Sequence, residues 1–191
     1  MSFRKGRHSQ APLPEGGASA ENPLVQKAKE TVPALVEAAR ILGEEFVREL
    51  GSAFQFDPER SEVDLLVEIL LFVLHLLDRL LWVTLGPFKR KVFVDAVLEE
   101  LSRAVKPMGL TVDTFRDRYN KSQRRYAKCE KLLPEDGETF RGTLFWEFGK
   151  RLTLRYRVSN PVAAFWFSSR GVDVMESLNE VLTHLELEKV R

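Results

Sequence analysis

The stretch PERSEVDLLVEILLFVLHLLDRLLWVTL, residues 58–85, decides the fold of this chain. It is apolar on almost every side, and its 28 residues end at the helix-breaking pair Gly86-Pro87. Its polar side chains return to one stripe at helical spacing. They are Asp64, Glu68, His75, Asp78 and Arg79. A helix with so narrow a polar edge predicts the central element of a helical core.

Helical patterns stand on both sides of this stretch. Asn22-Pro23 is a helix start, and the pattern runs to Leu50 with an interruption at Pro33. Residues 88–105 repeat apolar side chains every three or four positions. A further helix is predicted over residues 114–133. These segments together predict an N-terminal helical bundle.

The apolar period changes after Pro134. Residues 151–158 alternate between polar and apolar, which is typical of a strand, and residues 143–148 resemble one. A three-residue turn between them and a third strand over 162–168 would give a single apolar face. A final helix is predicted over 172–189. The sequence therefore predicts an α+β fold, predominantly helical, in which the bundle precedes a three-stranded antiparallel meander and a C-terminal helix.

Composition sets the expected domain organisation. Residues 1–21 are rich in Pro and Gly and predict a disordered tail. Residues 22–191 predict a single globular domain, with a helical part over 22–133 and the meander plus helix over 140–191. Cys129 has no second cysteine to pair with, and no secretory signal is recognisable. We therefore expect a soluble, cytoplasmic protein without an internal disulfide.

Basic charge is concentrated in one part of the chain. Residues 115–157 contain twelve Lys and Arg against six Asp and Glu, although the net charge of the whole chain is only +1. Most of this charge falls in the helix predicted over residues 114–133. A basic helix can bind along a phosphate backbone or to an acidic partner, or it can form an ordinary solvated face. The candidate binding residues on it are Arg116, Lys121, Arg124, Arg125 and Lys128.

The second face of the predicted meander combines aromatic and basic side chains. Rings beside guanidinium groups can stack on bases or form a protein-binding surface. The alternative is that the C-terminal helix covers this face. The candidate binding residues here are Phe145, Arg155, Arg157, Phe165 and Phe167.

The polar stripe of the long helix is a candidate buried site. Glu68, His75 and Asp78 could line a ligand-binding or catalytic pocket, or form a structural polar seam. A metal site is not expected, because only one histidine takes part and the chain lacks paired Glu-x-x-His motifs. No catalytic residue or cofactor is assigned. A transmembrane span is not expected either, because charged side chains near the bilayer centre are costly.

These features favour a non-enzymatic protein-interaction, assembly or adaptor protein, with a protein partner or a second copy of the chain as ligand. Sequence-nonspecific nucleic-acid binding is the first alternative, carried by the basic helix and the arginines. The second alternative is a small-ligand binder or an enzyme with its site at the polar stripe.

Overall fold

The computed structural model describes residues 22–50, 58–133, 141–155 and 162–186, and the described part is built from helices. A short 3-10 turn, Lys106–Met108, links the second helix to the third. The helices in chain order are α1 (Pro23–Leu50), α2 (Pro58–Ala104), α3 (Val112–Tyr126), α4 (Leu144–Arg155) and α5 (Val162–His184). The predicted disordered tail, residues 1–21, lies outside the described residues.

Helix α1 begins where the sequence predicted. The side-chain oxygen of Asn22 accepts a hydrogen bond from the backbone N–H of Leu24 at 2.9 Å, which caps the helix. The helix continues through Pro33 without a break. It packs along α2, and its buried residues recur every three or four positions. They are Leu24, Ala28, Val32, Leu35, Ala39, Leu42 and Phe46.

Helix α2 is the central element, as predicted. Its residues from Val67 to Leu77 are buried on all sides of the helix. The chain leaves helical geometry at Gly86, where φ is 68° and ψ is 176°, and resumes it at Pro87. That combination of angles is almost exclusive to glycine, so the predicted break at Gly86-Pro87 is confirmed as a kink inside α2.

Helix α3 packs on α2 and α5 packs on α4, while α4 contacts α2 through side chains. The buried residues of α3 include Phe115, Tyr119 and Tyr126. Helix α4 places Phe148 parallel to Phe72, with ring centroids 4.1 Å apart and planes 7° apart. The core is therefore one continuous cluster around α2.

The predicted three-stranded meander is wrong. Residues 144–155 form α4 and residues 162–184 form α5, and the described residues contain no strand, only an isolated bridge between Lys131 and Thr143. The buried residues of α4 follow helical spacing: Leu144, Phe145, Phe148, Gly149 and Leu152. Leu154 belongs to the alternating pattern, yet its side chain is 81% exposed. The alternation over 151–158 was therefore a local coincidence, and the fold is all-helical where it is described.

The last helix also begins earlier than predicted, at Val162 instead of Val172. Its Trp166 ring meets Phe46 of α1 edge-on at 5.8 Å, and its indole N–H donates to the carboxylate of Glu49. Helix α5 is thereby fixed against α1. None of the described helices is both long enough and apolar enough to cross a membrane.

Candidate functional site

Glu68 is the most deeply buried carboxylate of the polar stripe, with 1% of its surface exposed. It accepts hydrogen bonds from Arg151 Nη2 at 2.7 Å and Arg155 Nη1 at 3.2 Å, both on α4. Two guanidinium groups offset the cost of removing this charge from water. Glu68 therefore anchors α4 on α2, with its Oε1 accepting both hydrogen bonds and its Oε2 ion-paired with Arg151.

Asp64 extends this ionic cluster toward the surface. Arg118 of α3 donates to it at 2.8 Å, and Arg155 pairs with it at 2.9 Å. Burial alone would raise the pKa of Asp64, but the hydrogen bonds and charges of Arg118 and Arg155 outweigh burial and lower the pKa. Arg155 thus bridges two carboxylates of α2 instead of lying on an open aromatic face.

His75 lies in an aromatic pocket between α2 and α3, with 4% of its surface exposed. Its ring stacks on Tyr119 at 4.8 Å and meets Tyr126 edge-on at 4.9 Å. Nε2 lies 2.7 Å from Ser122 Oγ. Burial, reinforced by the charges of Arg79 and Arg151, lowers the pKa of His75 to about 3. The imidazole is therefore neutral at physiological pH.

The Ser122 and His75 pair has the separation of a nucleophile and its general base, but its hydrogen bonds run the other way. The Ser122 hydroxyl donates to the Tyr119 carbonyl at 2.8 Å. The hydroxyl has only one hydrogen, so it cannot also donate to His75. His75 Nε2 therefore carries the hydrogen of their shared bond, and Ser122 Oγ accepts it. Ser122 is also buried. The pair joins α3 to α2 as a structural contact.

Arg79 caps the end of α3. Its Nη2 donates to the backbone carbonyl of Tyr126 at 2.7 Å and also to that of Cys129. The last carbonyls of a helix have no intrahelical partner, so a guanidinium here stabilises the helix end. Burial raises the pKa of the Cys129 thiol, which makes it a poor nucleophile.

Asp78 and Arg90 join the two sides of the α2 kink. Arg90 Nη1 lies 2.6 and 2.7 Å from the two carboxylate oxygens of Asp78. The same guanidinium sits over the Trp82 ring, 4.7 Å from its centroid. Burial raises the pKa of Asp78 against the opposing influence of Arg90. Glu68, His75 and Asp78 thus each have a partner within the chain.

Three large apolar side chains beside the kink are exposed, and we call them together the kink patch: Trp82, Val83 and Phe88. Their side chains are 55%, 88% and 79% exposed. They stand within seven residues of chain on the two sides of Gly86. Single exposed apolar residues are ordinary, but three of them so close in sequence, two of them aromatic, make a candidate binding surface.

A groove of about 450 Å³ lies beside the kink patch, between α2 and α3. We call it the kink groove. Trp82 belongs to both features, and His75 and Tyr126 reach the bottom of the groove. Its walls include Trp82, Arg90, Gln123, Ala127, Glu130 and Leu132.

The basic residues predicted on α3 divide into two groups. Arg116 is ion-paired with Glu99, and Lys121 pairs with Asp117 at 2.6 Å. The others form no ion pair within the described part of the chain: Arg124, Arg125 and Lys128. Arg125 is half-buried, and its Nη1 has no hydrogen-bond partner.

The aromatic residues predicted with them do not form one surface. Phe145 is buried in the core, whereas Phe165 is exposed on α5. Arg157 and the side chain of Phe167 lie outside the described residues. The structure thus separates residues that the predicted sheet would have brought together.

Sequence reasoning missed the kink patch. The signal was present in WVTLGPFKRK, residues 82–91, where large apolar residues flank a helix-breaking pair and a basic triplet follows. A helix break exposes backbone and side chains to solvent, so apolar residues directly beside it are candidates for a binding surface.

Comparison of the chain with protein-family models, with curated proteins and with solved structures found no match. Within the described ranges, no three His, Cys, Asp or Glu side chains form a group that could hold a metal ion.

Proposed function

We propose that the protein is a non-enzymatic interaction protein that docks a protein partner on the kink patch and the kink groove. The exposure of Trp82, Val83 and Phe88 carries this proposal. The core buries large apolar side chains completely at many positions, whereas these three face solvent. Burying them against a partner would release a substantial hydrophobic free energy.

Trp82 and Arg90 have the character of interface hot spots. Tryptophan and arginine are enriched among the residues that dominate binding energy. Arg90 is already held by Asp78 and by the Trp82 ring, so docking would order few further side-chain rotamers. Such preorganisation lowers the entropic cost of association.

The polar stripe supports a structural role over a catalytic one. Glu68 is engaged by arginines of α4, His75 by Ser122 and Asp78 by Arg90. Each contact joins two helices or the two sides of the kink. A residue that supports packing in this way has its hydrogen-bonding capacity directed into the protein.

Affinity capture with matched variants tests the proposal. Phe88→Ser removes a ring from the kink patch, and Leu154→Ser removes an equally exposed apolar side chain on α4. Wild type and Leu154→Ser should capture the same protein at near-equal stoichiometry from an extract of the source cells, and Phe88→Ser should lose it. Equal capture by all three folded proteins would contradict the proposal.

Sequence-nonspecific nucleic-acid binding is a second candidate, favoured by Arg124, Arg125 and Lys128, which form no ion pair with any residue that the structure describes. It predicts anisotropy changes with labelled oligonucleotides that weaken steeply as salt rises. Reversal of these three charges should abolish binding, whereas Phe88→Ser should leave it intact. Loss of oligonucleotide binding with Phe88→Ser would instead point to the kink patch.

A further inference from the structure

We infer that residues 11–14 of this chain, Ala-Pro-Leu-Pro, dock in the kink groove of the same molecule and compete there with the partner. This inference rests on the proposed function and names a regulation of the same site. The position of α1, the length of chain before it and the chemistry of the groove together support it.

Helix α1 runs antiparallel to α2. Gly43 of α1 lies beside Ile69 of α2, since a Cβ added to Gly43 would stand 3.4 Å from Ile69 Cδ1. Arg48 and Glu62 line one groove between the two helices. Arg48 comes later in α1 than Gly43, and Glu62 comes earlier in α2 than Ile69. The two helices therefore point in opposite directions.

The antiparallel packing brings the start of α1 to the level of the kink. Leu24 precedes Gly43 by 19 residues, and Phe88 follows Ile69 by 19 residues. Both helices rise by the same distance per residue, so Leu24 lies at the end of the bundle where α2 turns at Gly86. Leu24 is buried, so α1 is packed up to its first turn. The preceding residues therefore join the fold at the end that carries the kink patch.

The chain before α1 is long enough to reach the kink groove. Pro14 stands eight residues before Asn22, and eight residues of extended chain span up to about 27 Å. A helix with its side chains is about 10–12 Å across, so this length can pass around the end of α2. A segment tethered this closely acts at an effective concentration on the order of millimolar, which populates even a weak contact.

The kink groove is electrically balanced. Its lining contains two carboxylates, Asp78 and Glu130, and two guanidinium groups, Arg79 and Arg90. Asp78 engages Arg90, and carbonyls at the end of α3 engage Arg79. A charged occupant would gain little net attraction from this lining. Residues 11–14 carry no charged side chain and match it.

Aromatic rings supply much of the contact surface of the groove. Trp82 forms a wall that is half exposed, and Tyr126 lies at the bottom. Proline-rich segments bind grooves lined by aromatic rings, because proline is already restricted before it binds and loses little conformational entropy. Pro12 and Pro14 provide such a segment, with Leu13 between them as an apolar side chain.

Occupation of the groove by residues 11–14 covers a surface that the partner also needs. The partner then binds only those molecules whose groove is open, and its apparent affinity falls in proportion to that fraction. A partner with a higher intrinsic affinity displaces the segment. Residues 11–14 thereby set a threshold for docking.

Photo-crosslinking of the full-length chain locates the segment. Benzoylphenylalanine is incorporated in place of Leu13, and the residues that it links on irradiation are mapped by mass spectrometry. The links should fall on the lining of the kink groove, at Trp82, Gln123 or Ala127. Links that fall only outside this lining would overturn the inference.

Two pairs of substitutions test whether proline carries the contact. Pro12→Ser combined with Pro14→Ser should reduce the links in the groove at least about threefold. Ser9→Ala combined with Ser19→Ala changes the same part of the chain outside residues 11–14 and should leave the yield unchanged. Equal yields from the two pairs would show that the photoprobe binds there by itself, which would overturn the inference.

A mixture of unlabelled and isotopically heavy protein separates links within a molecule from links between molecules. Each link should join two segments of the same isotopic composition. Links of mixed composition would assign the groove to a second copy of the chain and overturn the inference. Circular dichroism confirms that each variant remains folded.

Affinity capture measures the regulation. At limiting partner concentration, the full-length chain with Pro12→Ser and Pro14→Ser should retain at least about threefold more partner than wild type. Equal retention would refute the regulation. Links outside the groove, with capture still lost in Phe88→Ser, would refute the inference and leave the proposed function standing. Links in the groove, with equal capture by Phe88→Ser, would refute the proposed function and leave residues 11–14 in the groove.

Discussion

The neutral state of His75 predicts that the protein loses stability on mild acidification. Its pKa is about 3 in the folded chain, against an ordinary value of 6.5. The unfolded chain therefore binds a proton at this residue while the folded chain does not. The free energy of unfolding should fall as the pH drops through 6.5, and the loss should continue until the pH approaches 3.

The magnitude follows from proton linkage. One proton bound only by the unfolded state changes the free energy of unfolding by about 1.4 kcal/mol per pH unit. Between pH 7 and pH 5 the unfolded histidine passes from mostly neutral to almost fully protonated, which gives a loss of about 2 kcal/mol. A folded pKa one unit higher would leave this figure nearly unchanged, because it would still lie below pH 5.

Urea unfolding at the two pH values measures this loss. Wild type should lose about 2 kcal/mol more than His75→Gln between pH 7 and pH 5, because glutamine can still donate to Ser122 but does not titrate. His184→Gln, at an exposed position of α5, is the matched control and should behave as wild type.

The comparison of variants isolates His75 from the carboxylates. The raised pKa of Asp78 works in the opposite direction, because the folded chain then takes up its proton more readily as the pH falls. That contribution is common to wild type and His75→Gln and cancels in the difference. Equal losses in these two proteins would refute the assignment of a buried, neutral imidazole.

Three further predictions concern stability. Glu68→Ala should lower the free energy of unfolding by about 3–5 kcal/mol in chemical denaturation, because it leaves arginine charge unpaired. The double variant with Arg151→Ala should lose less than the sum of the two single variants. Gly86→Ala should cost about 1–3 kcal/mol from backbone strain alone, because a Cβ added at this position would meet no other atom, and calorimetry should show a lower Tm. Phe46→Ala should cost about 3–5 kcal/mol on urea unfolding, while Leu154→Ala on the surface should stay within about 0.5 kcal/mol.

The sequence predicted the first half of the fold well because local and global signals agree there. The cap at Asn22, the apolar run of α2 and the break at Gly86 are each encoded within a few residues. A helix that is apolar on every side has only one stable placement, at the centre of other helices. Periodicity was therefore sufficient to identify α2 as the centre of the core.

The prediction for the second half of the fold was wrong because the contact that decides its structure joins residues far apart in the sequence. Arg151 and Arg155 are four residues apart, and this spacing puts side chains on one face in a helix and in a strand alike. Glu68, more than eighty residues earlier, draws both to one carboxylate. Its burial in an apolar helix was the available signal, since such a carboxylate requires cations at a matching spacing.

The kink patch is exposed because α3, which packs on α2, ends before α2 ends. Arg79 binds the last carbonyl of α3, so α3 stops beside Arg79, three residues before Trp82. Exposure rises abruptly at this boundary, since Leu81 is fully buried and its neighbour Trp82 is largely open. No pattern within residues 58–85 could locate this step, because the helix is equally apolar on both sides of it. A partner segment on the kink patch would continue the layer that α3 leaves incomplete.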